Sequence, residues 1–295
     1  MTPGRESAGI MGDRVVFWEH LFRSAAVICG LLTLAIFCFL CVLGLPLLQD
    51  GHLLSLLSSP WAPARGLYGI FPMLLASILL ALLSLALGFP VSLGCSLLIT
   101  ALAPRRLRML LIGMIRLMAG IPTVVYSFAA LFLLVPLMRT LIGRGSGLSL
   151  LTAAPVLALL IVPTMVIFFV AGFEKVNRAH LLALDALGGS RVQKIIHILL
   201  PGARPVLING TLLGFGRAMG DTMVSLMLAG NSTAVPSSLA DSARTLPAHI
   251  ALVMASDFDS LEFTSIFACG LLLYLVTGLL MLLMRLPGRS PDNES

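Results

Sequence analysis

Six apolar runs, at roughly 24–48, 68–102, 110–138, 150–172, 205–230 and 262–286, each reach the length of helix, about 20 residues, that a bilayer core demands. A backbone in hydrocarbon has no water to satisfy its N–H and C=O groups, so runs of this length must be helical. The chain therefore reads as all-α, a polytopic membrane protein with six transmembrane helices. Composition excludes the soluble alternative. Of 295 residues, 58% are hydrophobic and only 11% charged, too few to cover a water-facing surface.

The second run is too long for one straight crossing. Gly88-Phe89-Pro90 interrupts it, which predicts a kinked helix whose cytoplasmic end projects from the bilayer. The first run follows a polar segment, residues 1–23, carrying Arg5, Arg14 and Arg23. Its length exceeds the h-region of a signal peptide, roughly 7–15 residues, so it reads as an uncleaved anchor.

The net charge of +6 invites a nucleic-acid reading, but the placement of the charges opposes it. With the N-terminus inside, thirteen of nineteen basic residues fall in cytoplasmic segments, and the outer segments hold only Arg65, Arg139, Arg144 and Arg244. That asymmetry is a topology signal and predicts both termini in the cytoplasm. Cys38 and Cys41 have C-x-x-C spacing but no second Cys or His pair nearby, and read as small membrane-helix residues. No metal or cofactor is expected. All five histidines lie outside the apolar runs, against an intramembrane hydrolase, and no phosphate-binding G-x-x-x-x-G-K-[S/T] loop occurs. Any ATP hydrolysis must then come from a partner. A proton-coupled transporter using Asp221 would predict inverted repeats, and none is visible.

Two basic residues remain inside the runs, Arg116 and Arg217. A charge at mid-bilayer costs at least about 2.5–3.5 kcal/mol, so it faces a polar path or another charge. Arg217 and Asp221 are spaced i, i+4, which on one helix permits mutual neutralisation. A structural ion pair between helices accounts for the same residues. Arg116 is expected about 10 Å deep in the third helix, where it either lines a path or snorkels to the headgroups. Tyr126, Ser127, Thr123, Thr222 and Ser225 are polar enough to line a path, or to bond between helices.

The cytoplasmic stretch from Asn177 to Pro205 is too patterned for a connector. Ser190-Arg-Val-Gln193 reads as a capping box, and Val192, Ile195, Ile196 and Leu199 form an apolar stripe ending at Pro201. A second short helix is expected at 179–187, with Gly188-Gly189 as the bend. Two such helices make either a docking knob or an amphipathic hairpin lying on lipid.

This stretch resembles the EAA loop of the permease subunits of bacterial ABC importers. Ala183, Gly188, Ile198, Leu200 and Pro201 match its spacing, while Leu182 stands where the family has glutamate and Leu184 where it has its second alanine. Asp185, one turn on, can substitute for the missing acid. Three further stretches, "AGIPTVVYSFAALFLLVPL", "GFGRAMGDTMVSLMLAGN" and "VPSSLADSARTLPAHIAL", resemble the permeases of phosphate-specific importers, closer to the PstC than the PstA type.

The resemblance spans about 68–286. It implies the ABC importer permease (MetI-like) fold in a bacterial cytoplasmic membrane. It also implies a chain that is not itself an enzyme, working with ATP-binding subunits, a second permease subunit and a periplasmic phosphate-binding protein, with no nucleic acid. It implies that Leu182, Ala183, Asp185, Gly188, Arg191 and Pro201 belong to the ATPase-coupling loop. Arg217 matches a family arginine, Asp221 stands for a glutamate, and Arg116 reverses a position that usually carries glutamate. Arginine's planar fork suits a tetrahedral oxyanion, and a neighbouring carboxylate keeps it from being held too tightly. The expected path residues are Arg217, Asp221, Arg116, Tyr126 and Thr222. The expected divisions are 1–60, a permease core 61–286 containing the coupling loop 173–204, and a disordered tail 287–295.

Overall fold

The computed structural model describes residues 4–49, 59–143, 145–257 and 260–285; the tail, Arg144 and Arg289 lie outside them. Helix α1 covers Gly4–Gln49. A two-stranded hairpin, β1 (Trp61–Ala62) and β2 (Leu67–Tyr68), leads into α2 (Phe71–Leu97). Then come α3 (Arg105–Gly120), α4 (Thr123–Ile142) and α5 (Leu150–Glu174). A pair of short helices follows, α6 (Arg178–Ala186) and α7 (Arg191–Gly202). The chain ends with α8 (Arg204–Gly220), α9 (Met223–Leu228), α10 (Leu246–Val253) and α11 (Leu261–Arg285).

Five helical stretches are long and apolar enough to span a membrane, 18–44, 71–102, 123–142, 150–174 and 261–283. Helices α7 and α8 reach that length only when taken together, and are bent by 70° at their junction. The second run is one helix through Pro90, prolonged by a π-helical turn over Leu98–Leu102.

Two of the expected continuous helices are broken, each for a local reason. The run 110–138 splits at Ile121-Pro122. Proline has no N–H and disfavours the helical conformation for its predecessor, and here Ile121 is extended, with φ −77 and ψ 129. Arg116 therefore sits in a separate helix, α3, and not inside a spanning one. The run 205–230 splits at Asp221, which is extended with φ −74 and ψ 122. Its carboxylate Oδ2 accepts the backbone N–H of Val224 at 2.8 Å, an Asx-type contact that competes with continuing the helix.

The centre of the bundle is α5, which packs against α2 and α8, themselves in mutual contact; α1 pairs with α11. Close approach comes from small residues. A Cβ on Gly172 would meet Val206 at 2.9 Å, one on Gly210 would meet Phe169 at 2.9 Å, and one on Gly214 would meet the Met165 sulfur at 2.8 Å. This antiparallel register, built on a Gly-x-x-x-Gly step in α8, is the membrane solution to packing without a hydrophobic driving force. Serines on α2 return their hydroxyls to the preceding turn, Ser77 to Met73 O, Ser84 to Leu80 O and Ser92 to Gly88 O, and Ser77 Oγ also accepts the Leu246 N–H of α10 at 2.8 Å.

The segment between α9 and α11 folds back on itself. The short helix expected near 246–255 is α10. Its His249 is fully buried, edge-on to Trp61 at 4.3 Å, with neither ring nitrogen hydrogen-bonded. Burial, and secondarily the Arg244 charge, lower its pKa to about 4. The unfolded chain takes up this proton near pH 6.5, so stability is intact above that pH and declines as pH falls toward 4. The ceiling of the loss is about 3 kcal/mol at 1.36 kcal/mol per pH unit. We expect Trp61 fluorescence to report a falling unfolding temperature between pH 6.5 and 4, and His249→Leu to flatten that slope. An unchanged slope in the variant would assign the acid sensitivity elsewhere.

Candidate substrate path and helical knob

The glycine register of α8 on α5 sets Arg217 beside Thr164. Arg217 Nη1 donates to the Thr164 hydroxyl, and the rest of its guanidinium is exposed. One face of α5 then runs Thr164, Ile167, Ala171, Glu174, spaced i, i+3, i+7, i+10. Arg116 of α3 lines a cavity of about 460 Å³ with Ile167 and Ala171 of that face. At its end, Arg108 Nη2 donates to Glu174 Oε1 at 2.8 Å. Three arginines from two elements thus address one helix face over about 15 Å, at 1.5 Å rise per residue.

The expected i, i+4 ion pair of Arg217 with Asp221 is not formed; the two charges are near each other without direct contact. Because α8 ends at Gly220, the i, i+4 geometry is lost, and no ion pair joins the two among the described residues. Asp221 is instead the hinge of the break, accepting from Val224 N–H through its side chain and from the Ser225 hydroxyl through its carbonyl at 2.9 Å. Thr222 lies in the same break, and its carbonyl accepts from Leu226 N–H. Tyr126 bridges the other break, donating its hydroxyl to Met118 O at 3.1 Å. Ser127 bonds back to Thr123 O. No hydrogen bond links Tyr126 or Thr222 to Arg116 or Arg217 among the described residues. The sequence reading missed Thr164, Arg108 and Glu174. A hydroxyl directly after Pro163 in a helix lacking other mid-span polar groups was the available signal for the first.

The stretch from Asn177 to Pro205 folds as two short helices around a glycine bend. Asn177 caps α6 through Ala179 N–H, and Ser190 and Gln193 form a complete capping box at α7. Gly188 has φ +75, a left-handed conformation favouring glycine, while a Cβ on Gly189 would strike the Leu184 side chain at 2.4 Å. An ion pair between Lys194 and Asp185 ties the two helices together.

Two details differ from expectation. Pro201 does not stop α7. A π-helical turn over Ile195–Leu199 precedes it, and its wider ring of hydrogen bonds accommodates a residue without an N–H; the bend comes at Ala203. That turn also shifts the stripe by one residue. Leu199 is buried and Ile195 half-buried against the core, but Val192 and Ile196 point outward. With Leu182 at 67% and Leu187 at 84% exposure, they give the knob an uncovered apolar surface. Ala183, Arg191 and Pro201 are also exposed.

Comparison with known proteins bears on both features. Residues 88–289 match the family described as binding-protein-dependent transport system inner membrane component. A probable ABC transporter permease protein, YqgH, of Bacillus subtilis is 32% identical over 219 residues, covering 74% of this chain and 71% of its own. A phosphate transport system permease protein, PstC, of Xylella fastidiosa is 32% identical over 251 residues, covering 78% and 76%. Among solved structures, a bacterial alginate ABC transporter bound to its periplasmic protein aligns with TM-score 0.61 at 16% identity, covering 92% of this chain and 96% of that one. The MetNI methionine ABC transporter aligns at 0.55 and 18%, covering 78% and 97%. The architecture is thus that of an ABC importer permease, and the chain belongs to the family of binding-protein-dependent transport system inner membrane components.

Proposed function

We propose that this chain is a permease subunit of an ATP-driven importer of inorganic phosphate, with both termini in the cytoplasm. The observation that carries the reading is the alignment of Arg217 and Arg116 along one face of α5. A phosphate crossing an apolar bundle needs replacement for its lost hydration, and guanidinium forks supply paired N–H donors in the geometry of its oxygens. Exposed on a single subunit, this face waits for the second permease subunit to close the path around it. Ile167 of the face and Phe128, Phe132 and Leu133 of α4 are exposed apolar groups of the kind such a partner, or lipid, would cover. The relatives named for phosphate transport support the substrate class.

Asp221 and Thr222 act at the hinge between α8 and α9, and Tyr126 at the hinge between α3 and α4, so their contribution is to orient the helices that carry the arginines. Through its apolar surface, the knob made by α6 and α7 docks the ATP-binding subunit, which supplies the hydrolysis this chain does not contain. A periplasmic phosphate-binding protein delivers the anion from the other side.

The test is uptake by proteoliposomes holding the complete complex. Labelled phosphate should enter only with binding protein outside and ATP inside, with sulfate entering at least tenfold more slowly. Arg116→Ala should lower phosphate occupancy, and Arg116→Glu should speed release against internal phosphate. Equal uptake of both anions would remove phosphate as the substrate. Identical kinetics for both Arg116 variants and the wild type would place that residue outside the path.

A further inference from the structure

Two cavities lie end to end beside the cytoplasmic end of α5. The first, about 460 Å³, is walled by Ile112, Ile115, Val170 and Ala171 and holds Arg116. The second, about 1040 Å³, opens between the π-helical end of α2 and the knob. Among their lining residues, only Arg108 and Glu174 belong to both. These two side chains form the ion pair between α3 and α5 at 2.8 Å, so the partition between the cavities is itself a salt bridge.

Charge is arranged unequally across that partition. The first cavity is apolar apart from Arg116 and the pair itself. The second carries Arg178, Arg191, Lys194 and Asp185. Lys194 is committed to Asp185, whereas Arg178 and Arg191 have no ion-pair partner among the described residues. An anion at Arg116 therefore meets a carboxylate at the partition and two uncommitted guanidiniums beyond it. The carboxylate repels the anion; the arginine that holds the carboxylate attracts it. Both side chains are about half exposed, at 45% and 53%, and a pair so hydrated is held weakly enough to exchange partners.

We propose that Arg108 and Glu174 form the inner gate of the anion path. An arriving phosphate displaces the Glu174 carboxylate from Arg108, which loosens α3 from α5 and lets the anion pass to the cytoplasmic cavity. Re-pairing then closes the path against return. No covalent step is involved: one oxyanion replaces another on the same guanidinium. The proposal rests on the reading of the α5 face as the path, and makes Arg108 and Glu174 gating residues within it.

The test uses the complete complex in proteoliposomes carrying Arg108→Cys with Glu174→Cys, joined by a short bifunctional thiol reagent cleavable by reductant. The wild type, with its own five cysteines, sets the background. Cross-linking should lower uptake at least tenfold below that of the untreated double-cysteine variant, and reductant should restore the untreated level. Separately, Glu174→Gln should raise ATP-independent exchange of labelled phosphate at least threefold, because the barrier to return has lost its carboxylate. A merely structural salt bridge would instead lower assembly without raising exchange. Full uptake after quantitative cross-linking, or unchanged exchange in Glu174→Gln, overturns the gate. If that happens while Arg217→Lys still impairs uptake, the gate alone fails; normal uptake in Arg217→Lys removes the path beneath it.

Discussion

Arg217→Lys should reduce phosphate uptake at least tenfold and Arg217→Gln should abolish it, with both proteins inserted and assembled normally. Arg217 spends one N–H on the Thr164 hydroxyl, which aims the fork and leaves its remaining donors exposed. Lysine keeps the charge, but an ammonium bonded to Thr164 offers no planar pair of donors to an oxyanion. A hydrogen bond to a charged group is worth about 1.5–3 kcal/mol, which corresponds to roughly 10- to 150-fold in rate or affinity. Glutamine removes the charge as well. Thr164→Val should produce a smaller loss than either, since the guanidinium survives but is no longer aimed. Asp221 provides the decisive control. If Arg217 served only to balance Asp221, the double change Arg217→Gln with Asp221→Asn would regain full uptake. The structure commits the Asp221 carboxylate to Val224 N–H, so the double variant should stay inactive. Full recovery would falsify the transport role.

The places where the sequence reading succeeded share a cause, as do those where it failed. Helix existence was legible because hydropathy over about 20 residues decides it, and tertiary packing cannot reverse that decision in lipid. The capping box at Ser190 and the bend at Gly188 were legible because each is closed within four residues of chain. The breaks at Ile121-Pro122 and Asp221 were visible as residue types, yet hydropathy ran straight across them. The proline signal was outweighed by the apolar residues on both sides. The Asp221 break depends on a carboxylate bonding a backbone N–H rather than contacting the arginine directly, which spacing alone cannot decide. The π-helical turn at Ile195–Leu199 has no period of its own, so the stripe Val192, Ile195, Ile196, Leu199 was assigned one face when it occupies two. Contacts between distant segments, Arg217 with Thr164 and Arg108 with Glu174, were beyond reach because each depends on the register of one helix against another. The glycines that set the first register were on the page as Gly210 and Gly214, but not what they would face.

The bend of the knob should be the most sensitive point for coupling, and its two glycines should fail for different reasons. At Gly188 an added Cβ meets open space, and the obstacle is φ +75 alone, which costs an L-residue about 1–2 kcal/mol. Gly188→Ala should therefore leave a partly working loop, and Gly188→Val a worse one, because a β-branched side chain tolerates that conformation least. At Gly189 the obstacle is contact. A Cβ would lie 2.4 Å from Leu184 Cγ and 2.9 Å from the Leu184 carbonyl oxygen, so part of the clash is with backbone that cannot swing aside. Gly189→Val must pry α6 from α7, strain the Lys194–Asp185 link and scatter the apolar surface formed by Leu182, Leu187, Val192 and Ile196. None of these residues lies in the five helices long and apolar enough to span, so membrane insertion should be unaffected. Uptake should fall at least tenfold, and the ATP-binding subunit should no longer copurify at the wild-type ratio. Leu182→Asp separates surface from shape: it keeps the bend intact, restores an acid where the ABC importer loop usually has one, and removes apolar contact. If the partner reads a polar contact at that position, uptake rises or holds; if it reads the apolar surface, uptake falls along with copurification. Normal uptake in Gly189→Val with full copurification would mean that the knob is not what the ATPase grips.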